Sequence, residues 1–104
     1  DLGIAIAQPD DLVRSRDRTQ STPRDNVIFE LGFFMSRLGR ARTLLLVPRG
    51  EDVKLPSDFK GLTPLVYAQP KPNDEPSTAL GPVIYQIKRR LRELGVRKTI
   101  LGEK

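Results

Sequence analysis

The chain reads as an α/β domain on a parallel sheet, and two observations predict this. Short continuous apolar runs at residues 2–7, 43–47 and 65–68 have the pattern of strands buried on both faces. They alternate with helix-length segments, which is the order a parallel sheet needs for its crossovers.

Leu2-Gly3-Ile4-Ala5-Ile6-Ala7, ended by Gln8-Pro9-Asp10, is the first strand. Asp10–Ser21 is polar, carries Arg14, Arg16 and Arg18, and reads as a loop with room for one helical turn. Thr22-Pro23-Arg24-Asp25 predicts a helix start, with Thr22 as cap, Pro23 at the first helical position and Asp25 as capping-box acid. That helix runs over about 23–38 and stops at Gly39. Thr43-Leu44-Leu45-Leu46-Val47 is the second strand, and one turn is expected around Ser57–Lys60. Pro64 favours extended entry into the third strand, Leu65–Ala68. Residues 69–76 hold three prolines and read as an exposed connection. A last helix runs from about Gly81-Pro82 to Leu94, stopped by Gly95. Its apolar positions Leu80, Ile84, Ile87, Leu91 and Leu94 are expected inside, with Lys88, Arg89, Arg90 and Arg92 outside. Three strands are few for a sheet covered on both faces, and the chain opens within a residue of its first strand. An earlier part of the domain is therefore expected to be absent, leaving one flank of residues 2–7 without a partner strand.

Composition removes much chemistry. With no cysteine and no histidine, the 104 residues hold no disulfide, thiol nucleophile, zinc-thiolate site, imidazole base or Ser-His-Asp triad. No run nears the roughly 18 apolar residues of a membrane span, and no signal-peptide pattern opens the chain, so a cytoplasmic location without membrane partners is expected. The net charge of +5 is local. Residues 1–76 hold eleven basic and eleven acidic side chains, and the excess lies in residues 77–104. Such a cluster reads first as a solvated helix face, because no aromatics are interleaved to stack bases; nucleic acid is not the expected partner.

Within the middle helix, Val27–Met35 is apolar on every side except at Glu30. Such a helix is expected to be buried on most sides, placing a carboxylate among hydrophobic neighbours. A carboxylate so placed needs an ion-pair partner or a cleft. Two readings stand: Glu30 pairs with Arg37, Arg24 or another arginine, or it opens onto a pocket. Asn26 and the pair Phe33 and Phe34 lie one turn to either side of it. Gly32 costs roughly 1 kcal/mol in a helix interior, which suggests close approach by another backbone or a ligand.

Arg24-Asp25-Asn26-Val27-Ile28-Phe29-Glu30-Leu31-Gly32-Phe33-Phe34, followed by Leu38-Gly39-Arg40, resembles the bacterial TIR-like (Toll/interleukin receptor-like) family of predicted nucleotide-binding proteins, found among other places fused to STING-type cyclic-dinucleotide sensors in antiphage defence. The Ile4–Ala7 strand with Pro9-Asp10-Asp11, and Leu55-Pro56-Ser57-Asp58-Phe59-Lys60-Gly61, are similar to the same family in the same order. The resemblance implies a flavodoxin-like TIR-type parallel sheet with helices on both faces. Residues 1–104 would be the C-terminal portion of one such domain, lacking its first two strands and their helices. It implies cleavage of NAD+ at the nicotinamide–ribose bond, with Glu30 catalytic and NAD+ a substrate, so that no separate cofactor is expected. Substrate-binding residues would be Asp10, Asp11, Arg14, Arg24, Asn26 and Phe33. A fused or partner sensor domain and TIR-like self-association would accompany it, and the isolated chain would be inactive.

The chemistry suits a chain without histidine. Hydrolysing an ordinary glycosidic bond takes two carboxylates because the leaving oxygen needs an acid. The nicotinamide nitrogen of NAD+ is already positive and leaves neutral, so one carboxylate can suffice to stabilise the ribosyl cation. Phe33, Phe34 or Tyr67 could stack on a ring, although core positions are the plainer reading of the two phenylalanines. The arginines of residues 14–24 lie on the loop after a strand, beside a helix N-terminus, where ligands bind open α/β sheets. No GxGxxG or Walker sequence is present. The alternatives are a non-catalytic TIR-like domain that binds nucleotide or self-associates, and a basic nucleic-acid-binding fragment.

Overall fold

A computed structural model describes residues 1–14, 20–59 and 61–95. Its centre is a parallel three-stranded sheet: β1 (Gly3–Ile6), β4 (Thr43–Pro48) and β5 (Leu65–Tyr67), in the order β1-β4-β5. Ala5 stands opposite Leu45, and Val47 opposite Val66. All six residues of β4 are buried, as the middle strand of a sheet covered on both faces must be.

Alternation along β4 divides the core in two. Leu45 and Val47 join Ala5, Ala7 and Phe59 beneath helix α1 (Asp25–Leu38), which inserts Val27 and Leu31. Leu44 and Leu46 join Tyr67 beneath helix α2 (Pro76–Leu94), which inserts Val83. Helices therefore lie on both faces, and the fold is α/β. Gly3 is required for the fit, since a Cβ there would collide with the ring of Phe34 on α1.

Four expectations need correction. The stretch read as a loop has the helical turn it left room for, a 3-10 turn at Pro9–Asp11, but also an antiparallel hairpin that was not expected, β2 (Leu12–Arg14) with β3 (Ser21–Pro23). Strands this short carry too little apolar pattern to be read; partners distant in sequence hold them. The Ser21 N–H donates to Asp52 O at 2.8 Å and the Lys54 N–H to Ser21 O at 2.7 Å. Arg16 and Arg18 lie outside the described residues.

The same hairpin delays α1. Thr22 and Pro23 belong to β3, Thr22 donates its hydroxyl to Val13 O rather than capping, and Arg24 is the N-cap. The Arg24 N–H donates to Asp11 O at 2.7 Å, holding the backbone extended until Asp25. The stop at Gly39 is as expected, its N–H donating to Met35 O.

Helix α2 begins five residues before Gly81, with Pro76 in the first turn, where the missing N–H costs nothing; Pro82 is an interior residue. Its C-terminal carbonyls of Leu94 and Gly95 accept from the Arg42 guanidinium, each at 3.1 Å, and Arg42 also reaches Asp1 O at 3.3 Å.

Finally, Ile84 and Leu91 are 43% and 41% exposed, and Ile87 and Leu94 only half-buried, where all four were expected inside. Helix α2 lies along β5, and Ile84 and Ile87 overhang an apolar groove of about 480 Å³ walled by Ile4, Ile6, Leu46 and Val83, while Leu91 and Leu94 lie beyond it. Among the described residues no strand pairs with the outer edge of β1, and Ile6 is 51% exposed. Lys88, Arg89 and Arg92 are exposed, as the charge pattern requires, while Arg90 is half-buried and reaches Ala41 O.

Candidate active site

Among the described residues, helix α1 is covered on one side only. Its 3.6-residue period turns Val27 and Leu31 toward the sheet and leaves Asn26, Glu30, Phe33 and Arg37 on one exposed stripe, with Phe29 beside it. The expectation that Glu30 sits among buried neighbours is therefore overturned: Phe29 is 74% and Phe33 50% exposed, and Glu30 itself faces solvent. Apolar residues occur all round the helix, but burial requires a second layer, and among the described residues nothing packs on that side.

Neither proposed arginine pairs with Glu30. The Arg24 Nε donates to Asp10 O at 2.7 Å, and the Arg37 guanidinium lies over the Phe33 ring, 5.6 Å from its centroid. Glu30 makes no ion pair or hydrogen bond with a described residue. No other backbone approaches Gly32, since a Cβ there would meet nothing within 4 Å.

The loop after β1 reaches the start of α1 through backbone contacts from Asp10 and Asp11 to Arg24. The Asp11 carboxylate is turned back onto its own 3-10 turn, accepting the Gln8 N–H at 2.9 Å. Arg24, Asp25 and Asn26 line a shallow pocket of about 340 Å³ with Val13, one turn from Glu30. Glu30 does not line it.

Arg14 lies elsewhere. It stands opposite Ser21 in the hairpin, so pleat alternation sends it to the other face from Val13 and Thr22. There it pairs with Glu51 at 3.2 Å. The hairpin thus separates Arg14 from Arg24, which sequence alone placed on one loop.

Among the candidate stacking rings only Phe33 is exposed. Phe34 packs edge-on to it, 6.0 Å between centroids, and against β1. Tyr67 is buried, its hydroxyl donating to Ala7 O at 2.8 Å. Burial, and to a smaller extent the Asp11 charge, raises its pKa above the ordinary phenol value. Sequence reasoning missed Ser21 and Glu51; a turn signal at Pro48–Gly50 precedes Glu51, but nothing in the sequence marks Ser21. Among the described residues, no group of three or more acidic side chains could hold a metal ion, and no helix is long and apolar enough to cross a membrane.

A parallel sheet between two helices matches the architecture expected of a TIR-type domain. The family described as CAP12/Pycsar effector protein, TIR domain, matches residues 1–69, which span β1 to β5 and every candidate site residue. The chain belongs to that family. It is 56% identical over 91% of its length to the Pycsar effector protein PaPycTIR of Pseudomonas aeruginosa, and 45% identical over 91% to BcPycTIR of Burkholderia cepacia. It is 41% identical over 99% of its length to CD-NTase-associated protein 12 of Flavobacterium daejeonense. The chain spans 31% of the length of each of these relatives, about a third. No solved structure matches at a comparable level.

Proposed function

We propose that this domain belongs to a TIR-type effector of antiphage signalling that hydrolyses NAD+ at the nicotinamide–ribose bond, with Glu30 as its catalytic residue. The observation that carries the reading is Glu30 itself: an accessible carboxylate without an ion-pair partner among the described residues, on one stripe with Asn26 and Phe33, at the glutamate of the family's phenylalanine-glutamate-leucine-glycine string. The C1′–N bond breaks with its electron pair passing to the ring nitrogen, so nicotinamide leaves neutral. The Glu30 charge stabilises the ribosyl cation. Water then adds at C1′ and loses a proton, giving ADP-ribose. In this reading Asn26 would reach the ribose, Phe33 would stack on the nicotinamide, and Arg24 with the first turn of α1 would meet the pyrophosphate. Asp10 and Asp11 shape this end through their backbone carbonyls. Arg14, paired on the other face, has no direct part. A cyclic-nucleotide sensor, fused or separate, is the proposed controlling partner, in the cytoplasm.

A second reading is non-catalytic self-association, favoured by the exposure of Phe29, Ile84 and Leu91. One experiment separates the two. In the full-length protein that carries this domain, Glu30→Gln keeps shape and removes charge, so nicotinamide release should fall on the order of 10²–10³-fold with assembly unchanged. Equal turnover by mutant and wild type overturns the enzymatic reading.

A further inference from the structure

We propose that Glu51 is a positioning residue that locks the β2–β3 hairpin, and through it the first turn of α1, onto the carboxyl end of the sheet; as a statement about catalysis this rests on the proposed role of Glu30. Glu51 follows the turn at the end of β4, where Gly50 takes φ 94°. Its side chain is 20% exposed and uses both oxygens. Oε2 accepts from Arg14 at 3.2 Å, and Oε1 accepts the hydroxyl of Ser21 at 2.6 Å.

The two contacts differ in weight. The Arg14 side chain is 56% exposed, and an ion pair so open to water contributes little. Ser21 is fully buried, and its bond to the carboxylate is short and charge-assisted. Without the carboxylate the hydroxyl has lost its acceptor in a place water does not reach. The backbone of Ser21 is tied to the same segment, at Asp52 O and the Lys54 N–H. Ser21 begins β3, and β3 ends at the residue before the N-cap Arg24. Movement at Ser21 is therefore passed directly to Asn26 and, one turn on, to Glu30. Small misplacements of a reacting group are costly, up to about 100-fold per ångström.

The test uses Glu51→Ala, Glu51→Gln and Ser21→Ala in the full-length protein. Glutamine keeps a carbonyl for the Ser21 hydroxyl and gives up the Arg14 ion pair. Glu51→Ala should lower kcat on the order of tenfold or more with KM nearly unchanged, and Ser21→Ala should do the same. The double variant Glu51→Ala/Ser21→Ala should be no worse than either single one, because both substitutions remove the same Ser21–Glu51 hydrogen bond and the exposed Arg14 pair adds little. Glu51→Gln should recover most of kcat. Undiminished kcat in Glu51→Ala, or glutamine as defective as alanine, overturns the proposal. Amide exchange gives a readout free of turnover: Ser21, Lys54 and the first turn of α1 should exchange faster in Glu51→Ala and Ser21→Ala but not in Glu51→Gln. If the wild type releases no nicotinamide yet exchange follows this pattern, the catalytic reading fails and the lock stands; uniform exchange across the variants defeats the lock.

Discussion

Leu31 and Phe29 sit two residues apart on α1, and the fold assigns them opposite energetic roles. Leu31 is fully buried in the cluster formed by Ala5, Ala7, Val27, Leu45, Val47 and Phe59; Phe29 is 74% exposed. Leu31→Ala removes three carbons, about 2.4 kcal/mol at about 0.8 kcal/mol for each. The cavity beneath a helix that fully buries only Val27 and Leu31 adds to this, for a total of about 3–4 kcal/mol. Phe29→Ala removes a larger side chain, yet should change stability by no more than about 0.5 kcal/mol, since its ring stays in water in both states. Urea unfolding of the two variants against wild type, at constant m, measures both. A Leu31→Ala loss below about 1 kcal/mol, or a Phe29→Ala loss above it, would refute the one-sided packing of α1 on which the placement of Glu30 depends.

Tyr67→Phe should cost about 1–2 kcal/mol at neutral pH by taking the hydroxyl donor from Ala7 O. Because the folded pKa of Tyr67 is raised, the unfolded chain loses that proton first. Stability from this group is therefore intact below the unfolded value and declines as pH rises through the folded one; Tyr67→Phe should lack that part of the alkaline slope in pH-dependent unfolding. Gly32→Ala meets no obstacle, so it should stabilise α1 by up to roughly 1 kcal/mol in thermal melts, and a destabilised variant would mean that something packs there. Arg42→Met removes three bonds from one guanidinium to the carbonyls of Asp1, Leu94 and Gly95, and should lower stability by about 1–2 kcal/mol, with faster amide exchange at the end of α2.

The α/β class, the three strands and both helix stops were legible in the sequence, because each rests on local chemistry. A run such as Leu44–Val47 can be stable only when covered on both faces, and Gly39 and Gly95 adopt the positive φ that ends a helix without penalty. Glu30 was legible as the one charge in an apolar segment, and the family as a string of neighbouring residues. Tertiary structure alone decided the rest. The hairpin exists because the backbone of Ser21 finds Asp52 and Lys54, partners some thirty residues away that no local pattern announces. Once formed, it moved the start of α1, sent Arg14 to Glu51 and left Arg24 with Asn26. Exposure of Glu30 was likewise beyond the reach of periodicity. Residue pattern says which side of a helix can be buried, whereas burial itself is a property of what lies against it, and α1 meets the sheet with only the side that carries Val27 and Leu31.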